Sequence, residues 1–246
     1  MIVRIAIIML HGSGGSGASL RDGIDYIPLT QLHGYQTLME ALNNNKNNYR
    51  YEIITPTAKL RPYTYHGGEY TRVWFDRSVD FHETGLDDKE DVDGINQSLA
   101  TLMQTINDME SLYDHIFLGG FSMGGGLVLH GLRMQLSSKV RGLFTMGSFL
   151  VQRSSVLRES LSTRSSQLPL LMMHGNIDRT CSLSYCHLGV MVLHGGNGYT
   201  LVIQYDQYNC FNIIQPFPQY NTISPRCSCM SNNSHHHHYI MIAMMT

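Results

Sequence analysis

Ser122 stands in Gly120-Phe121-Ser122-Met123-Gly124, entered by the apolar run Ile116-Phe117-Leu118 and left through Leu127-Val128-Leu129. This is G-x-S-x-G between a strand and a helix, a turn tight enough to strain its central residue and raise the hydroxyl above the sheet edge. The glycines two residues on either side mark places where a Cβ would collide across the turn. A helix starting at Met123 would aim its N-terminal end at an oxyanion formed there. In a chain with 23 glycines the competing reading is a glycine-rich strand-to-helix turn carrying a bystander serine.

A serine hydroxyl becomes a nucleophile when a base takes its proton, and that base needs a carboxylate to orient it. Asp178 follows the apolar run Leu168-Pro169-Leu170-Leu171-Met172-Met173 and the turn His174-Gly175-Asn176-Ile177. That position fits the order Ser, Asp, His. An aspartate just past a strand is also a common turn or helix-cap residue, so Asp178 draws its meaning from its company. The third candidate is His11-Gly12-Ser13-Gly14-Gly15-Ser16-Gly17, directly after the first apolar run. Gly12, Gly14 and Gly17 match G-x-G-x-x-G, but no acidic residue closes a second strand about 20 positions on, as a dinucleotide site requires. Backbone N–H groups around Ser13, held beside the nucleophile, are the better reading.

The elements that must position these residues alternate. Ile5 to Leu10 reads as a strand covered on both faces. Leu38, Met39 and Leu42 carry a helical pattern, and Tyr51-Glu52-Ile53-Ile54 forms a second strand ended by Pro56. Residues 59 to 91 form a loop-rich insertion holding Trp74, the single tryptophan. Loops of that length usually cover a pocket or anchor to the core, and Trp74 with Phe75 suits either role. Ile95, Leu99, Leu102, Met103, Ile106 and Met109 fall at helical spacing, and Val140 to Met146 is another buried strand. The economical architecture is a doubly wound, mostly parallel α/β sheet.

Five segments in fixed order carry a resemblance: Leu10 to Gly17, Pro56-Thr57-Ala58, Val73-Trp74-Phe75-Asp76, Gly119 to Gly125, and His174 to Asp178. Together they resemble the acyl-protein thioesterase/lysophospholipase family, within the phospholipase/carboxylesterase group of α/β-hydrolases. Trp74-Phe75-Asp76-Arg77 and Gly147-Ser148-Phe149-Leu150 place it nearest the lysophospholipase-like branch. The resemblance covers about residues 5 to 180. It implies Ser122 as catalytic nucleophile and Asp178 as the orienting acid. It further implies an oxyanion hole from the Ser13 and Met123 amides, and an acyl groove involving Trp74. It also implies cleavage of esters or thioesters on acylated proteins, lysolipids or small acyl esters, with no metal or organic cofactor. Gly15 departs from the family by replacing a usual aspartate.

The last quarter departs further. The family pattern wants a helix, a returning strand and then a histidine roughly 30 to 35 residues after the aspartate. Residues 200 to 234 contain no histidine. His187 and His194 follow Asp178 too closely, and His235 to His238 come too late, so the triad histidine is left unassigned. From residue 180 to 246 only Asp206 and Arg226 are charged, an odd composition for the surface of a soluble domain. We therefore expect a hydrolase body over residues 1–180. Residues 181–246 are expected to be an atypical tail, read in a shifted frame or from a misjoined exon after Thr180. Cys227, Cys229 and the histidine run lack paired C-x-x-C spacing, so a zinc site is a weak reading.

Composition narrows the rest. A net charge of −2 and a pI of about 6.7 give no footprint for nucleic acid. No apolar run reaches the roughly 18 residues of a membrane span, and the opening segment reads as a strand rather than a signal peptide. All five cysteines lie beyond residue 180, an odd number without a disulfide framework, so a cytoplasmic setting is expected. Two outcomes compete: a serine hydrolase acting through an acyl-enzyme, and a catalytically impaired hydrolase-fold protein that binds acyl groups or a partner.

Overall fold

The computed structural model describes residues 1–25, 40, 42, 48–77, 90–150, 154–158, 165–175, 200–205 and 211–214. Its centre is β1 (Val3–Leu10), whose residues Ile5 to Leu10 are all buried. A strand turns successive side chains to opposite faces, and β1 shows this directly. Ala6, Ile8 and Leu10 join one apolar cluster, while Ile5, Ile7 and Met9 join another. Burying each such isoleucine or leucine contributes roughly 1.5–3 kcal/mol.

Around β1 lie β2 (Tyr49–Ile54), β5 (His115–Phe121), β6 (Val140–Met146), β7 (Leu170–Gly175), β8 (Thr200–Tyr205) and β9 (Phe211–Ile214), in the order β2-β1-β5-β6-β7-β8-β9. Every neighbouring pair is parallel except β8 with β9. A separate antiparallel hairpin, β3 (Leu60–Tyr63) and β4 (Glu69–Arg72), falls inside the segment expected to be loop. Gly67 and Gly68 make its turn at φ 66° and 88°, a region open mainly to glycine.

Among the described residues the bounded α-helices are α1 (Gly17–Asp25), α2 (Val92–Glu110), α3 (Met123–His130) and a short α4 (Ser155–Arg158). Residues 40 and 42, within the expected helical pattern, are helical. Asp91 caps α2 by accepting from the Gly94 N–H at 2.9 Å, and Ile95, Leu99, Leu102 and Ile106 form its buried face. The mostly parallel, doubly wound α/β sheet is the one expected. Strands β8 and β9 extend it past residue 180, where no strand was anticipated. Among the described residues no helix is long and apolar enough to cross a membrane.

Candidate active site

Parallel strands deliver their carboxyl ends to one edge, and two of those ends carry the residues singled out above. Leu10 pairs with Gly120 across β1 and β5, so the chain leaves β1 at His11 beside the point where β5 runs into Ser122. Ser122 has φ 51° and ψ −122°, a left-handed conformation costing about 1–3 kcal/mol for a residue with a side chain. It is held there by its own N–H donating to the Met146 carbonyl at 2.9 Å and its carbonyl accepting from Gly126 at 3.1 Å.

Helix α3 begins at the next residue and is buried from Met123 to His130. Gly124, Gly125 and Gly126 each weaken a helix by about 1 kcal/mol relative to alanine. Close packing explains their presence: a Cβ on Gly124 would stand 2.6 Å from the His11 carbonyl oxygen, and one on Gly126 would stand 2.9 Å from that of Phe149. The first N–H groups of a helix lack intrahelical partners, so the Met123 amide sits among free donors just past the serine. A Cβ on Gly12 would lie 3.3 Å from the Ser122 Cβ, which fixes how near the glycine-rich loop comes to the hydroxyl.

That loop is tied from several sides. The Gly14 N–H donates to the Arg72 carbonyl of β4 at 2.9 Å, and the Gly17 N–H to Thr57 Oγ1 at 2.9 Å. The His11 ring is buried; its Nε2 accepts from the Ala58 N–H at 3.0 Å, so Nδ1 carries the proton and donates to the Gly12 carbonyl at 2.6 Å. Burial pushes the His11 pKa down, outweighing the contact with the Gly12 carbonyl, and the nearby Arg72 charge adds to the lowering. Ser13 is exposed, and its side chain lies beside the hydroxyl of Tyr63, itself 1% exposed.

Trp74, named from the sequence for an acyl groove, is 2% exposed, and its indole N–H donates to the His11 carbonyl at 2.7 Å. Asp178 lies outside the described residues, as do His187, His194 and His235 to His238. The structure thus brings Ser122, Met123 and the Ser13 loop together. It adds His11, Tyr63 and Arg72 as supports that sequence reasoning did not single out. Tyr63 carried no sequence signal; its short strand contains Pro62, and a proline argues against a strand. Among the described residues no group of histidine, cysteine and acidic side chains has metal-binding geometry.

Comparison with known proteins places the molecule among relatives. A family model described as Phospholipase/Carboxylesterase matches residues 3–198. The mouse protein named lysophospholipase-like protein 1 is 33% identical over 177 residues, covering 70% of this chain and 66% of that protein, just under two thirds of its length. Acyl-protein thioesterase 1 homolog 1 of Dictyostelium discoideum is 27% identical over 195 residues, covering 77% of each chain. The crystal structure of Zea mays acyl-protein thioesterase 2 superposes with a TM-score of 0.62 at 21% identity, covering 84% of this chain and 86% of that one, a likeness of fold. On the reach of that family model, and on the sheet it accompanies, the chain belongs to the phospholipase/carboxylesterase family of α/β-hydrolases.

Proposed function

We propose that this chain is a serine hydrolase that cleaves thioesters or carboxylic esters of acyl groups through an acyl-enzyme on Ser122. The observation that carries the proposal is the left-handed backbone of Ser122, φ 51°, set against the Gly12–Ser13 loop and the start of α3. Strain of this kind persists where surrounding structure holds it, and it clusters at reactive sites. In the proposed cycle the Ser122 oxygen attacks the acyl carbonyl and loses its proton to a histidine. The Ser13 and Met123 amides hold the oxyanion, and Asp178 orients the histidine. The leaving thiol or alcohol takes that proton, and water then releases the acid from the serine. The relatives' names, a lysophospholipase-like protein and acyl-protein thioesterases, support an acylated protein or a lysolipid as substrate. Trp74 serves any acyl groove from beneath, because its side chain is buried.

One observation favours a second reading. Residues 200 to 234 hold no histidine, and a triad without its base loses on the order of a million-fold in turnover. A fluorophosphonate probe separates the two. Labelling of the folded chain that disappears in Ser122→Ala is expected for the hydrolase. Folded protein that takes no label would leave the impaired, ligand-binding reading standing.

A further inference from the structure

Within itself the glycine-rich loop makes few hydrogen bonds: the Gly15 N–H donates to the Gly12 carbonyl at 3.2 Å, and His11 Nδ1 to the same oxygen at 2.6 Å. Glycines dominate it, Ser13 is exposed, and a glycine loses more backbone freedom on ordering than any other residue. Besides the Gly17 tie to Thr57, it is met at four points by the segment from Ala58 to Trp74. Three are donated hydrogen bonds: Ala58 N–H to His11 Nε2 at 3.0 Å, Gly14 N–H to the Arg72 carbonyl at 2.9 Å, and Trp74 Nε1–H to the His11 carbonyl at 2.7 Å. At the fourth, the Tyr63 hydroxyl lies beside the Ser13 side chain.

Trp74 is the firmest of these points. Its ring is 2% exposed and stands 5.0 Å from the His11 ring, centroid to centroid. Its own carbonyl accepts from the Ser98 hydroxyl on the buried face of α2. A path of contacts therefore runs from the core helix through one indole to the carbonyl of His11, which adjoins Gly12 and Ser13. That same carbonyl faces Gly124 at the start of α3, so the indole steadies the loop on the side where the nucleophile turn packs.

We infer that Trp74 is a positioning residue: its indole N–H, bonded to the His11 carbonyl, holds the glycine-rich loop so that the Ser13 amide faces Ser122. The inference rests on the hydrolase reading for its consequence in catalysis, although the clamp itself is a property of the folded chain. A buried donor of this kind acts through geometry, because a misplacement of about 1 Å at a reacting centre costs roughly a hundred-fold. Neutral His11 belongs to the clamp, since Nε2 accepts from Ala58 only while it carries no proton.

The test is Trp74→Phe in the full chain, which keeps a buried ring and removes the N–H. Four quantities are read: the melting temperature, the two constants for fluorophosphonate modification of Ser122 (probe binding and covalent rate), and hydrogen exchange at the Gly14 amide. The expected result is a tenfold or greater fall in the covalent rate constant, with probe binding within twofold of wild type. The Gly14 amide should lose at least tenfold of its protection while amides in β1 keep theirs. Unchanged covalent rate or unchanged Gly14 protection would overturn the inference. If wild type takes no label, the hydrolase reading fails and the clamp is judged on Gly14 exchange alone. If Trp74→Phe does not fold, Tyr63→Phe, which deletes one oxygen at the loop's other anchor, carries the test. It should lower the covalent rate and the Gly14 protection at least threefold, and no change in either counts against the clamp.

Discussion

A serine at φ 51° is expensive to keep, and the residues around Ser122 show how it is kept. Two backbone hydrogen bonds, to Met146 and from Gly126, fix its peptide planes, and the absence of side chains at Gly124 and Gly12 lets two loops meet over it. Gly124→Ala is therefore expected to drive a methyl group into the His11 carbonyl. It should cost about 1–3 kcal/mol, the usual penalty for overpacking, and slow Ser122 modification at least tenfold. Denaturant unfolding checks the first figure and probe kinetics the second. Residue types at this scale were largely readable, because the G-x-S-x-G spacing states the geometry it needs. What the sequence hid was support: His11, Tyr63 and Arg72 act through backbone groups and a ring tautomer, and neither leaves a periodic trace.

At the scale of elements, long apolar runs declared themselves. Strand β1 is covered on both faces, and α2 carries its buried residues at helical spacing. The β3–β4 hairpin did not, because four-residue strands containing Pro62 and closed by Gly67-Gly68 look like loop when counted by pattern. The hairpin is nonetheless anchored: Asp76 accepts from the Thr64 N–H at 2.7 Å, and its own N–H donates to the Asp91 cap of α2 at 2.7 Å. Strands β8 and β9 are hidden for another reason. Thr200–Tyr205 is a short run within a composition that has neither period, and it is its pairing with β7, from Leu170 to Gly175, that makes it a strand. Cutting the chain before Thr200 would leave that edge of β7 unpaired, with Leu171 and Met173 beside it. An exposed edge of this kind recruits other chains. The shortened protein is expected to aggregate, seen as a shift into the void volume in size-exclusion chromatography.

For the whole molecule, acidity is a sharper threat than its mild net charge suggests. His130 is buried with Nε2 3.5 Å from Glu90 Oε1, and desolvation drives its pKa from 6.5 down to about 4, beyond what the Glu90 charge restores. Glu90 accepts from the Ser154 hydroxyl at 2.8 Å and the Ser155 N–H at 3.0 Å; those bonds and His130 outweigh its own burial and lower its pKa. Above pH 6.5 His130 is neutral folded and unfolded, so it adds no pH dependence. Below that the unfolded chain takes up a proton that the folded chain refuses until about pH 4, and stability falls by on the order of 3 kcal/mol across the window. Glu90 adds to the loss at the acid end, since its folded form resists protonation. Urea unfolding at pH 7 and pH 4.5 should show the drop, and His130→Gln, which keeps a donor for Glu90 without titrating there, should flatten it.

Peptide groups touch peptide groups where Gly124 rests on the carbonyls of Leu10 and His11. A seam of that kind has no rotamers to exchange, so thermal rearrangement of neighbouring methyls and rings leaves its width alone. Tolerance then divides along chemical lines. Trimming Leu99 or Ile106 should lower the melting temperature and leave the rate of probe modification at Ser122 near wild type, whereas a single methyl at the seam should do harm out of proportion to its size.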